Sequence, residues 1–159
     1  IFTNGLHFDD PNETLPWYFS HEECREKILR GKYGSEANVK FMGFPFQCLF
    51  MELDGASIRP IRRHVSSIHL FGPFRKFDAM TKEYDAFSGK LFDLLGQPTI
   101  EMEENSIMWP KHIRRKWDLG YSIVSHSISD IKESDPVNQF SIQRRYKLDS
   151  MNREILSKW

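Results

Sequence analysis

The chain has 159 residues, 22 basic against 22 acidic side chains, and an aromatic content of 14%. That length suits one domain with a real core, the aromatic content argues against disorder over most of it, and the balanced charge excludes a basic arm or an acidic tail as the means of recognition. The longest apolar run, around Phe44 to Phe50, is broken by Gln47 and falls far short of the roughly 20 residues needed to span a bilayer.

The opening IFTNGLHFDD has none of the charged region, apolar stretch and cleavage site of a secretory signal. Two cysteines, Cys24 and Cys48, are too few for a disulfide framework. Free buried thiols in a reducing cytosol are the simpler expectation, and the chain is placed in the cytoplasm.

In chain order, Asp9 to Trp17, with Pro11 and Pro16, reads as an irregular lead-in that delivers Trp17 and Phe19 to a core. Ser20 and Glu23 stand in capping-box relation, with Phe19 placed to staple onto Cys24, so a first helix runs from His21 to Leu29 and ends before Gly31 and Gly34. Apolar segments near Val39 to Met42, Phe46 to Leu53 and Val65 to Phe71 follow as strands. Ile58, Ile61 and Val65 have helical spacing with Pro60 tolerable in a first turn, yet Asp54-Gly55 is a hairpin signal, and the strand reading is favoured.

A second helix spans Lys82 to Leu95, because Tyr84, Phe87, Leu91, Phe92, Leu94 and Leu95 fall mainly three and four apart. Gly96 and Pro98 stop it, and Gly89 within it suggests close approach to another backbone. Strands are expected at Ile107 to Trp109, Trp117 to Ile128 and Gln139 to Tyr146, although Asp118-Leu119-Gly120 offers a hairpin turn inside the second. Ser129 to Asn138 reads as an exposed loop, and Asp149 opens a last helix over residues 150–158. The expected fold is α+β, an antiparallel sheet with helices on one face, in one domain 1–159 made of two similar helix-plus-strands halves, 20–73 and 82–147.

Chemistry is sparse. Ser125-His126-Ser127 with Asp130 holds the residue types of a hydrolase, but neighbours on a strand point to opposite faces, so Ser125 does not meet His126. His21, Cys24 and Cys48 match no zinc spacing, and His64 and His69 fall on opposite faces of one strand. Glu101, Glu103 and Glu104 cluster as a solvated loop, and Glu133 and Asp135 do the same. Three basic clusters stand out: Arg59, Arg62, Arg63 and His64; Lys111, His112, Arg114, Arg115 and Lys116; and Arg144, Arg145 and Lys147. Converging on one sheet face with Trp109, Trp117 and Tyr146, they would form a footprint for nucleic acid.

LLGQPT closing a helix, then IMWP, RRKWDLGYSIVSHSISD and NQFSIQRRYK, together resemble small cytosolic bacterial immunity proteins, inhibitors that neutralise a co-encoded toxin, including those of contact-dependent growth inhibition and other polymorphic toxin systems. The resemblance covers Leu94 to Lys147 and implies a binder of a cognate toxin protein, with no catalytic residues, no metal and no cofactor. Against a nuclease toxin with a basic cleft, Glu101, Glu103, Glu104, Asp130, Glu133 and Asp135 would be the plugs. Against an acidic target, Arg62, Arg63, Arg114, Arg115, Lys116, Arg144 and Arg145 would serve instead. Two alternatives remain: a nucleic-acid binder using those basic clusters, and a metal-independent nuclease in which His64 or His126 meets a cation.

Overall fold

Alternation of apolar and polar residues governs the architecture. In the computed structural model the described residues are 2, 5–20, 38–54, 62–107, 111–130 and 136–144, with backbone alone for 18–20, 48–54 and 62–66. They form strands β1 (Gly5–Phe8), β2 (Glu13–Pro16), β3 (Tyr18–Ser20), β4 (Val39–Phe41), β5 (Phe44–Phe46), β6 (Cys48–Asp54) and β7 (Arg62–Phe71). Helix α1 (Phe77–Leu95) follows, then β8 (Ile100–Glu104), β9 (Lys111–Asp118), β10 (Ser122–Asp130) and β11 (Val137–Arg144).

The main sheet is antiparallel throughout, in the order β6-β7-β11-β10-β9-β8, with β3 also paired to β7. The chain therefore leaves β7, crosses to the far edge through α1, and returns as the meander β8-β9-β10-β11 until β11 pairs with β7. Four strand spacings of about 4.8 Å give a span of about 19 Å. A helix of 19 residues, about 28 Å long, covers that distance on a diagonal.

Helix α1 starts at Phe77, five residues before the expected Lys82, because Phe77 and Met80 extend the stripe of Tyr84, Phe87 and Leu91. It stops where expected: Gly96 takes a positive φ of 76° and its N–H donates to the Phe92 carbonyl at 2.8 Å. Leu94 points away from the core, 38% exposed. Among the described residues nothing lies within 4 Å of where a Gly89 Cβ would stand, so none of them makes the close backbone approach expected there.

One face of the sheet is dry. Ile68 and Leu70 of β7, Phe140 and Ile142 of β11, Val124, His126 and Ile128 of β10, and Trp117 of β9 are buried on the α1 side, in cross-strand register. Two hairpins join α1 there. β1–β2 supplies Leu6, Phe8 and Leu15, and β4–β5 supplies Val39, Phe41 and Phe46. The hairpins are tied to each other by Asp9 N–H to Lys40 O and Lys40 N–H to Asp10 O, both 2.7 Å. Phe87 is the hub, with the rings of Phe41, Phe44, Phe46, Phe140 and His126 at centroid distances of 6.0, 5.3, 5.5, 5.3 and 5.0 Å.

Several expectations are corrected. The lead-in Asp9 to Trp17 contains β2 of a regular hairpin, although it does bury Trp17, whose indole N–H donates to the Phe2 carbonyl. Trp117 to Ile128 is two strands, turned at Leu119, Gly120 and Tyr121, with Gly120 at φ 79° and its N–H held by the Asp118 carboxylate at 2.9 Å. Glu101 to Glu104 is strand rather than loop, and Asn138 is buried rather than exposed. The strands of the two halves also differ, since β8 to β11 form one meander while β4–β5 stands apart as a separate two-stranded hairpin. The first helix, the strand at Ile107 to Trp109 beyond Ile107, and the helix over 150–158 lie outside the described residues. Among the described residues no helix is long and apolar enough to cross a membrane.

Candidate functional site

Of the two histidines that suggested catalysis, His64 is described by backbone alone, and His126, like His69 and His112, lies against a serine. His126 is fully buried between Tyr84, stacked at 4.1 Å, and the edge of Phe87. Its Nε2–H donates to Asn138 Oδ1 and its Nδ1 accepts from the Ser88 hydroxyl, both at 2.9 Å. Burial lowers its pKa to about 3, so it is neutral and serves as a bridge between sheet and helix. Burial also pushes the Tyr84 phenol up to about 12. His112 Nδ1 lies 2.6 Å from Ser129 Oγ, with its pKa lowered by burial and by Arg114. His69 Nε2 lies 2.9 Å from Ser67 Oγ, with Gln139 Nε2 at 3.0 Å from Nδ1.

Ser88, Ser129 and Ser67 are 0%, 5% and 2% exposed, which leaves no room for an acyl or phosphoryl centre to reach any of these oxygens. Ser125 and His126 point to opposite faces, as alternation requires.

Alternation also divides the basic cluster on β9. Arg115 lies on the α1 side, 5.1 Å over the Tyr84 ring and 5.3 Å over Phe92, with Nε 2.8 Å from Glu101 and a guanidinium nitrogen 3.9 Å from Asp85. Arg114 and Lys116 lie on the other side, in register with Ser127 and Ser125. Arg144, at the end of β11, stands over the Trp17 ring at 5.3 Å. The seven basic residues expected as one alternative face are therefore not one face. Arg62 and Arg63 are described by backbone alone in β7, and Arg145 lies outside the described residues.

The acidic set fares differently. Asp130 sits at the end of β10 in register with Lys111, and Glu133 and Asp135 lie outside the described residues. Glu101, Glu103 and Glu104 occupy β8, the terminal strand of the sheet, whose five residues are all exposed. Glu101 and Glu103 share the α1 side with Arg115 and Ile113, while Ile100, Met102 and Glu104 share the other side with Lys116, Arg114 and His112.

This edge is firmly placed. Thr99 N–H donates to Lys116 O at 2.7 Å, the Thr99 hydroxyl accepts from Asp118 N–H at 3.0 Å, and the Trp117 indole donates to Gly96 O at 2.9 Å. The register runs without a bulge from Ile100 opposite Lys116 to Glu104 opposite His112.

The result is an exposed rim with two characters. On the α1 side, Glu101 and Asp85 flank the Arg115 guanidinium, and Glu103 stands two residues along the strand, opposite Ile113. On the other side, Ile100 and Met102 are 45% and 37% exposed, and Ile107 beyond the strand is 85% exposed. Sequence reasoning missed Asp85, which lies on the helix far from β8 in the chain and is brought in by the crossover. Among the described residues no group of three or more His, Cys, Asp or Glu side chains is arranged to hold a metal ion. Comparison with protein-family models, curated proteins and solved structures found no match.

Proposed function

We propose that the chain is an immunity-type inhibitor, a protein that binds a cognate bacterial toxin and covers its active or target-binding face without chemistry of its own. The observation that carries this reading is the rim along β8, where exposed carboxylates and exposed apolar side chains alternate on one well-anchored strand. A surface of that kind suits a protein partner: the apolar residues reward burial, and the carboxylates steer a basic cleft toward it. The partner class follows from the charge. Glu101, Glu103, Glu104 and Asp130 fit a toxin whose own substrate is anionic, such as a nuclease.

A second reading, recognition of nucleic acid, draws on Arg114 and Lys116 beside the half-buried Ser125, Ser127 and Ser141 on the side of the sheet away from α1. It is weakened by the diversion of Arg115 and Trp117 to the opposite side, which removes a cation and a stacking ring.

Affinity capture from the native cell extract at low and high salt separates the two. A single stoichiometric protein retained at high salt is the expected result. Nucleic acid alone, lost as salt rises, would overturn the inhibitor reading in favour of the second.

A further inference from the structure

We infer that the partner binds by strand addition: an extended segment of it, with basic and apolar residues in alternation, pairs antiparallel along the outer edge of β8. This rests on the inhibitor reading and specifies how that same rim is used.

Main-chain geometry is the first support. Among the described residues β8 pairs with β9 alone, and no described strand lies beside the outer edge of Ile100, Glu101, Met102 and Glu103. Natural edges are commonly blunted by a bulge, a proline or a covering element. Here the register is unbroken over five residues, none of them proline, and all five are exposed. Carboxylates alone could be a guard against aggregation, but a guarded edge has no use for Ile100 and Met102 standing 45% and 37% exposed on its other side.

Charge then selects the occupant. In an antiparallel pair of two copies centred on Met102, Glu101 of each copy would oppose Glu103 of the other, and a parallel in-register pair would set like against like. Like charges directly opposite on one sheet face are destabilising, so a second copy of this chain is disfavoured. A basic strand is favoured for the same reason.

The chain already contains half of this arrangement. Arg115 of β9 lies directly opposite Glu101 and pairs with it at 2.8 Å. An incoming strand on the other side of β8 would do for Glu103 what Arg115 does for Glu101, and would lay apolar side chains against Ile100 and Met102. Recognition would thus divide between the main chain for affinity and alternate side chains for selectivity, as strand addition does generally.

The test uses a ten-residue peptide of alternating lysine and valine, and the same peptide with every second backbone amide N-methylated, added to the full chain with amide shifts and hydrogen exchange read by NMR. Saturable shifts centred on residues 100–104, with exchange at the outward amides slowed at least tenfold, are expected for the first peptide. The methylated peptide should bind at least tenfold more weakly, and Glu103→Lys should weaken the first by a factor of about three or more. Equal binding of both peptides, or shifts confined to other strands, would overturn strand addition. The two proposals fail separately: a stoichiometric protein captured without any response at β8 leaves the inhibitor reading standing, whereas a peptide response without a captured protein removes the inhibitor reading and leaves a strand-accepting edge.

Discussion

Arg114 and Arg115 are adjacent in the chain and stand in different worlds. Arg115 lies over two rings of α1 and is paired with Glu101, with its side chain 17% exposed. Arg114 lies on the opposite side of the sheet, in register with Ser127. The same division separates His126 from Ser125 and Trp117 from Lys116. On the α1 side His126 is interior and held between Ser88 and Asn138, and Arg115 lies over two rings. On the other side Ser125 and Ser127 are half-buried. Residue type therefore says little about role in this protein until strand parity is known.

The comparison is broken most forcefully at Phe87. Five rings surround it, so Phe87→Ala should cost about 3–5 kcal/mol in chemical unfolding, and more than any serine on the other side. His126→Ala should follow at about 2–4 kcal/mol, because it leaves Ser88 and Asn138 unpaired inside the core, while Ser125→Ala should stay within about 0.5 kcal/mol.

The pH dependence sharpens the same contrast. His126 has a folded-state pKa lowered by burial to about 3, against about 6.5 when unfolded, so between these values the unfolded state binds the extra proton. Stability is then full above about pH 6.5 and falls as pH drops toward 3. His112, also lowered, adds in the same direction. Between pH 7 and pH 5 the loss should be about 2 kcal/mol from His126, and the slope should shrink in His126→Gln whatever that variant's absolute stability. The smallest effect separates the neighbouring arginines: Arg115→Ala should cost about 1–2 kcal/mol through lost packing over Tyr84 and Phe92, and Arg114→Ala about 0.5 kcal/mol or less.

What was readable in the sequence follows the strength of the local pattern. The stripe of Tyr84, Phe87 and Leu91 announces α1, and Gly96 announces its end. The alternation of Val124, His126 and Ile128 with serines places His126 inward and separates it from Ser125. β8 was not readable, because glutamate is a poor strand former and the pairing of Ile-Glu-Met-Glu-Glu with β9 is a long-range register that no local pattern encodes. The β1–β2 hairpin was hidden by Pro11 and Pro16, which suggested irregular chain. Ser88 as the partner of His126, and Asp85 beside Arg115, depend on where α1 crosses the sheet, which no local spacing encodes. The acidic candidates were thus found by composition, and their division between the two sides of one edge was not.

The most direct test of the rim as the functional surface is capture of the partner from native extract on the immobilised chain, in parallel with an Ile100→Asp, Glu103→Lys variant. Both positions are exposed, so the fold should be preserved and is checked by an unchanged unfolding midpoint. Retention of one protein at high salt by the natural chain and its loss from the variant is the predicted result. Equal retention by both would place the binding surface elsewhere and contradict the account.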